Sequence, residues 1–381
     1  MTEATDNNQQ NDAPAPAPAG PVIHVAPSPH SFSKSLTTRR MMLDVLLAAA
    51  PLTAWAIIQF GAPAILQLLV CVGGCVVAEA VFTMMRGRCP LGAMKDLSAT
   101  VTGVILALSL PCTAPWYVGF IGACAAIGIG KVVFGGLEQN IFNPAMVGRA
   151  FVMICFAWAL AAGGYVKLTE ETKTPTSNPD AATTLPDRQD AKERLDVISQ
   201  ATPMDVLKNR IKDRKETLQA KDEASPVAIS RLFLGNVNGS IGEVSTLACL
   251  IGGLYLCWRR TAAWRIPAGV LLASAVTAVL VHLGGGGAGL SMVDFVGYHM
   301  FGGALMFGAF YIATDPVSTP ITPKGRWVFG IGMGLLVMLF RTMSTFPEGV
   351  MYAVLMMNAV VPLINRWTIG TPVGGPVPER K

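Results

Sequence analysis

Charged residues are scarce in this sequence. They make up 14% of its 381 residues, where an ordinary soluble domain has roughly 25%. Two segments hold more than half of them: residues 1–38 carry four, and residues 165–231 carry 24, evenly divided between acids and bases. The other 276 residues share 25 charges, too few to face water. That excludes a soluble enzyme, and with it the nucleic-acid-binding, collagen-like and disulfide-scaffold classes. Cysteine and histidine are present without the patterns that make chemistry. The eight cysteines include no CxxC pair and all lie in or near apolar stretches, which argues against a disulfide framework or a four-thiolate iron–sulfur site. Cys71 and Cys75 share a helix face at i, i+4, an ordinary place for a small apolar side chain. Four scattered histidines (His24, His30, His282, His299) have no metal-ligand spacing, so neither metal catalysis nor a nucleophilic triad is supported. A basic start followed by an apolar run is also missing, so no cleaved signal peptide is expected. Residues 1–30 pass instead from an Asn/Gln-rich stretch to an Ala-Pro alternation at 13–18, a composition expected to stay disordered.

Apolar runs are what the sequence has. A transmembrane helix needs about 20 apolar residues, and ten candidate runs occur near 43–60, 63–85, 97–110, 116–134, 145–162, 244–258, 265–283, 295–313, 327–340 and 349–365. Alternate short ends carry 15 basic residues: Lys34, Arg39 and Arg40; Arg86, Arg88 and Lys95; Lys131; Arg259, Arg260 and Arg265; Lys324 and Arg326; Arg366, Arg380 and Lys381. The opposite short loops hold Arg341. Basic residues stay on the cytoplasmic side, so both termini are expected there, in the inner membrane of a bacterial cell, with the long segment 163–231 outside. Five runs precede that segment and five follow it, and the halves echo each other. Pro111-x-x-x-Pro115-Trp116 with Gly119 in the first half parallels Pro316-x-x-x-Pro320, Trp327 and Gly330 in the second. A five-helix unit duplicated in this way inserts with opposite topology. The expected fold is all-α and integral to the membrane: ten transmembrane helices as two inverted five-helix repeats with a long extracytoplasmic loop between them. Its parts are a disordered cytoplasmic N-terminus (1–38), a first repeat (39–162), the loop (163–243), a second repeat (244–367) and a cytoplasmic tail (368–381).

Four helix openings stand out. Asn143-Pro144 and Asp315-Pro316 each place an N-cap residue before proline; Ser240-Ile241-Gly242-Glu243 fits a capping box; Phe346-Pro347-Glu348 starts a helix with an acid in its first turn. Such residues either close helix ends that lipid leaves unsatisfied or aim helix N-termini at an anionic or polar cofactor. Nearby glycines (Gly135, Gly136, Gly235, Gly239, Gly242) favour the second for the set. Of the acids within or beside the runs (Glu79, Glu243, Asp294, Asp315, Glu348), capping accounts for Glu243, Asp315 and Glu348. Glu79 is left as a candidate for an ion or proton path.

The run from Gly135-Gly136-Leu137-Glu138-Gln139-Asn140 through Ile141-Phe142-Asn143-Pro144-Ala145-Met146-Val147-Gly148 resembles the signature of one membrane family. So do Gly239-Ser240-Ile241-Gly242-Glu243-Val244-Ser245, Thr314-Asp315-Pro316-Val317, and the stretch from Phe346-Pro347-Glu348-Gly349-Val350 to Met357-Asn358. The family comprises the D subunit of the Rnf electron-transport complex and the B subunit of the Na⁺-translocating NADH:quinone reductase. Ser28-Pro29-His30 and the short tail favour the Rnf side. The resemblance implies a covalent FMN, joined through its phosphate to a threonine by a flavin transferase, and a second, non-covalent flavin (riboflavin or FMN). Asp180-Ala181-Ala182-Thr183-Thr184-Leu185 is the best match to the flavinylation motif. Thr183 aligns with the modified threonine and Thr184 is the rival acceptor. The resemblance places contacts to the second flavin around Asn140 and Asn143, and a membrane-side floor for the covalent one at Gly239, Ser240 and Glu243.

The expected function is therefore a membrane flavoprotein subunit of an Rnf-type ferredoxin:NAD⁺ oxidoreductase. It relays electrons and couples them to Na⁺ or H⁺ translocation, and is not catalytic alone. Its expected partners are the other Rnf subunits (A, B, C, E and G), the flavin transferase and the lipid bilayer; nucleic acid is not among them. The chain has neither a nucleotide-binding βαβ pattern nor cluster cysteines, so nicotinamide and ferredoxin sites belong to sister subunits. The quinone-reductase counterpart, a redox-free inverted-repeat solute transporter and a purely structural scaffold subunit are the alternatives.

Overall fold

The computed structural model describes residues 37–87, 95–137, 139–160, 207, 229–235, 239–243, 245–286, 289–344 and 349–369. The expected disordered N-terminus, the tail from residue 370, nearly all of the long loop, and Glu138, Phe346, Pro347 and Glu348 lie outside them.

The described elements are helices. In chain order they are α1 (Thr38–Phe60), α2 (Ala62–Met85), α3 (Ser98–Ser109), α4 (Trp116–Val132), α5 (Pro144–Cys155), α6 (Thr246–Trp258), α7 (Arg265–Gly286), α8 (Met292–Phe301), α9 (Leu305–Ile312), α10 (Pro323–Met343) and α11 (Val350–Thr368). Short helices at Ala157–Leu160 and Ile229–Leu234 complete the set. Five of them, α1, α2, α7, α10 and α11, are long and apolar enough to cross a membrane, and α8 with α9 makes a sixth if the bent pair is one span. The third to sixth candidate runs correspond to α3–α6, which are apolar but 10–17 residues long, shorter than a full span of about 20. Among the described residues the full-length spans thus number five or six, and the chain is a multi-pass membrane protein.

Local sequence explains most boundaries. Thr322 caps α10, its hydroxyl accepting from Gly325 N at 3.0 Å, with Pro323 in the first turn. Gly61 (φ +68) separates α1 from α2 at a conformation that side chains with a Cβ rarely adopt. Two expected openings come out differently. Ser240 does not cap a helix: α6 begins at Thr246 with Ser245 as its cap, accepting from Ala248 N. The backbone at 241–242 is instead bonded to the end of α3, Ile241 N to Leu110 O (3.1 Å) and Gly242 N to Leu108 O (2.6 Å). Asp315-Pro316 opens a turn rather than a helix. The Asp315 carboxylate accepts from Ser318 Oγ at 2.8 Å, and the next helix waits for Pro323.

The outward faces are apolar, with Ile58, Leu69, Ile154 and Leu283 largely exposed, as helices facing lipid require. Between helices, small residues let backbones touch. A Cβ on Gly330 of α10 lies 2.6 Å from Ile266 O of α7, and one on Gly103 of α3 lies 2.6 Å from Val72 Cα of α2. The two halves repeat a packing pattern. In the first, α2 packs on α3 and α4, and α4 on α5; in the second, α7 packs on α8 and α10, and α10 on α11. The halves meet where α1 lies along α6 and where α5 touches α11.

The eighth run is a broken helix. The axes of α8 and α9 are bent by 55° at Gly302-Gly303, where Gly303 has φ +67. Arg341, expected in a loop, is a buried member of α10 that holds this break. It donates to His299 O (2.5 Å) and Gly302 O (2.8 Å), carbonyls left open at the end of α8.

Candidate functional site

A narrow cavity with about 60 Å³ of free space, or about 730 Å³ when the open region around it is counted, lies between the two halves. Residues from both halves line it: Ser98, Lys131, Asn140 and Asn143 from the first, Tyr311 and Asp315 from the second. Apolar side chains including Met42, Val101 and Ile105 fill the rest of the wall.

Asn143 builds one side. Its side-chain oxygen caps α5, accepting from Ala145 N (3.1 Å) and Met146 N (3.3 Å). Its amide nitrogen donates across the molecule to Ile312 O at 3.3 Å. Asn358 of α11 completes the knot. With its oxygen turned toward Asn143, it accepts from Asn143 N (3.0 Å) and donates to Ser318 O (3.2 Å). The start of α5 also abuts the π turn at Gly128–Val132, where a Cβ on Gly130 falls 2.8 Å from Pro144 Cα.

That π turn carries Lys131 inward. The sequence groups Lys131 with the basic loop ends; in the fold it is 4% exposed, ion-paired with Glu79 of α2, itself 3% exposed. Lys131 Nζ also donates to Ser98 Oγ at 2.5 Å, and Ser98 Oγ donates to Asp96 Oδ1 at 2.8 Å. A chain of polar groups therefore runs Glu79–Lys131–Ser98–Asp96, with Lys131 and Ser98 reaching the cavity wall. Two buried acceptors in this region have no hydrogen-bond partner among the described residues: Glu79 Oε2 and Asn140 Oδ1. The Asn140 amide nitrogen donates to Phe142 O at 3.1 Å, which pins its side chain and leaves the oxygen unanswered. A buried polar atom without a partner costs about 1–3 kcal/mol, so such an atom beside a cavity points to a polar occupant.

One functional-looking residue escaped the sequence reading. Asp44 of α1 is buried and accepts from Arg259 Nε and Nη2 (both 3.3 Å), Tyr255 OH (3.3 Å) and Thr261 Oγ1 (3.0 Å). It ties α1 to the α6–α7 turn. A lone acid in an apolar run was the available signal.

Of the expected site residues, Asn140 and Asn143 share the cavity. Gly239, Ser240 and Glu243 do not: they pack at the far end of α3, which at 1.5 Å per residue is about 18 Å from Ser98. Thr183 and Thr184 lie outside the described residues. Among the described residues no group of three or more His, Cys, Asp or Glu is placed to hold a metal ion, and no disulfide joins the seven described cysteines.

Residues 24–374 match the model of the NQR2, RnfD, RnfE family. Named relatives agree. The D subunit of the ion-translocating oxidoreductase complex of Halorhodospira halophila is 37% identical over 353 residues, covering 89% of this chain and 92% of the relative. The D subunit of the Na⁺-translocating ferredoxin:NAD⁺ oxidoreductase complex of Acetobacterium woodii is 37% identical over 348 residues (91% and 93%). The D subunit of the proton-translocating ferredoxin:NAD⁺ oxidoreductase complex of Clostridium ljungdahlii is 35% identical over 347 residues (91% and 95%).

Proposed function

The chain belongs to the NQR2, RnfD, RnfE family, and on that premise we propose that it is the D-type membrane subunit of an Rnf ferredoxin:NAD⁺ oxidoreductase. In this reading it sits in the bacterial inner membrane with both termini cytoplasmic and is not catalytic alone. It takes part in electron relay coupled to the movement of Na⁺ or H⁺, beside the A, B, C, E and G subunits. One relative is named for Na⁺ and another for protons, so the ion is left open. The ten-span inverted repeat is part of the same proposal. Its support is the recurrence of packing, α2 with α4 and α7 with α10, α4 with α5 and α10 with α11, and the placement of the four shorter apolar helices in the remaining positions.

The observation that carries the reading is the cavity between the halves, walled by the segments that bear the family resemblance, with a buried, unpartnered amide oxygen at Asn140. The polar set suits a non-covalent flavin, whose ring system presents an imide N–H and several acceptor atoms; the narrow space between the halves has to widen to admit it. A bound flavin supplies reversible one- and two-electron transfer. The chain's own residues supply the rest. Asn140 offers an acceptor, Lys131 holds a positive charge at the wall, Glu79 balances that charge when nothing else does, and Met42, Val101 and Ile105 exclude water. A covalent FMN at Thr183, attached by a flavin transferase, belongs to the same proposal and is supported by the family resemblance of the segment 180–185.

The test is to co-express the full chain with its flavin transferase and look for flavin fluorescence on the denatured polypeptide. Fluorescence lost with Thr183→Val and kept with Thr184→Val is expected. Loss only with Thr184→Val moves the attachment by one residue. No fluorescence in any lane, beside an active transferase on a control substrate, overturns the covalent-flavin proposal and makes the solute-transporter reading the one to pursue.

A further inference from the structure

A second cavity, with about 360 Å³ of free space and an open mouth, adjoins the first. The two share Met41, Thr261, Ala262, Thr314 and Pro316. Its charged lining is of one sign: Arg260, Arg265 and Arg326, with no acid. The neighbouring Arg259 is neutralised by Asp44, whereas no carboxylate among the described residues pairs with the three that line the cavity. Arg326 donates through Nε to Pro320 O at 3.2 Å. That bond fixes its guanidinium and leaves both terminal NH₂ groups without a partner among the described residues. Arg265 stacks over Trp264 at 5.3 Å and is close enough to Arg326 for the two like charges to repel. Three cations around one concavity, two of them fixed in place and none paired with a described carboxylate, make a favourable seat for an anion, and guanidinium forks match phosphate oxygens.

The surroundings say where that anion comes from. Trp264, more than half exposed, meets Trp327 edge-on with ring centroids 5.7 Å apart. Paired tryptophans at one end of an apolar bundle mark the membrane–water interface. Along the same two helices Leu272, Val276, Val328 and Leu335 face outward, an apolar track for acyl chains. We propose that this cavity binds the phosphate headgroup of an anionic phospholipid from the leaflet at the basic end of the bundle, held by Arg260, Arg265 and Arg326. The bound lipid thereby becomes part of the outer wall of the first cavity. The assignment does not depend on any flavin being bound there.

The test titrates the purified full chain in neutral detergent with phosphatidylglycerol, with phosphatidylcholine of the same acyl chains, and with inorganic phosphate, reading bound lipid by native mass spectrometry. Wild type is expected to prefer phosphatidylglycerol. R260Q, R265Q and R326Q are each expected to weaken that binding about fivefold and to abolish the preference as a triple, with phosphatidylcholine binding unchanged. Unchanged phosphatidylcholine binding also reports an intact bundle; R326K, which keeps the charge and loses the fork, is the gentler variant and retains part of the preference. A control triple, R39Q/R40Q/R366Q, removes equal charge from exposed positions and is expected to shift the preference by less than about twofold. Equal loss in both triples reduces the effect to diffuse surface charge and overturns the site. So does full retention in the cavity triple. Inorganic phosphate displacing the lipid at equal concentration assigns the cavity to a soluble anion and overturns the lipid claim.

Discussion

Lys131 and Glu79, 52 positions apart in the chain, form an ion pair between the π turn of α4 and the C-terminal third of α2, each less than 5% exposed. Two opposite charges so placed are tolerable as a pair and expensive singly. Glu79→Gln is therefore predicted to destabilise the chain by about 3–5 kcal/mol, with Lys131→Met similar and the double substitution markedly less harmful than the sum. Unfolding in mixed micelles measures this; strict additivity contradicts the pairing.

Arg341→Met is predicted to cost about 3 kcal/mol, because the His299 and Gly302 carbonyls lose a charged donor inside the bundle. Arg341→Lys recovers only part, since one ammonium cannot reproduce a fork across two carbonyls. Accelerated hydrogen exchange confined to the α8–α9 break checks the mechanism; uniform exchange throughout the bundle argues against it.

Two glycines separate packing from propensity. A Cβ on Gly252 collides with Tyr311 OH and Ala48 O, whereas one on Gly73 meets nothing within 4 Å. Gly252→Ala is predicted to unfold the contact among α1, α6 and α9, with a loss above about 3 kcal/mol. Gly73→Ala is predicted to be neutral or to stabilise by up to about 1 kcal/mol through helix propensity. Parallel melts of the two variants decide it.

Asn143→Ala removes the cap of α5 and the bond to Ile312 O together. The expected loss is about 2–3 kcal/mol, the sum of a cap and a buried hydrogen bond. Asn143→Ser keeps a capping oxygen and is predicted to recover the cap but not the cross-half bond. A serine variant no better than alanine contradicts this division.

The boundaries that local chemistry controls were legible. Asn143-Pro144 reads as a helix opening and caps α5; the apolar runs mark the helices within a few residues. Asp315-Pro316 is missed for a local reason, its carboxylate closing a turn with Ser318; the other misses come from tertiary contacts overriding local pattern. The Ser240–Glu243 spacing fits a capping box, but the backbone there bonds to Leu108 and Leu110, and the cap passes to Ser245. Lys131 and Arg341 look like loop charges because a lone basic residue near the end of an apolar run usually is one. Their burial depends on Glu79 and on the open carbonyls at His299 and Gly302, none of which is near in sequence. The family resemblance singles out Asn140 and Asn143 as contacts to a second flavin; that they line one cavity with Asp315, and that Asn143 meets Asn358, depends on how the halves dock.

The central claim, that the cavity between the halves holds a non-covalent flavin against Asn140, is tested most directly by the flavin released when the purified full chain is denatured. Wild type is predicted to release one flavin per chain, distinct from any that stays on the polypeptide. Asn140→Ala, loaded at limiting flavin, is predicted to hold it about tenfold more weakly while its melting temperature without flavin changes little, because removal of the buried, unpartnered oxygen offsets loss of the bond to Phe142 O. A wild-type chain that releases no flavin, or an Asn140→Ala chain that binds flavin as tightly as wild type, contradicts the account.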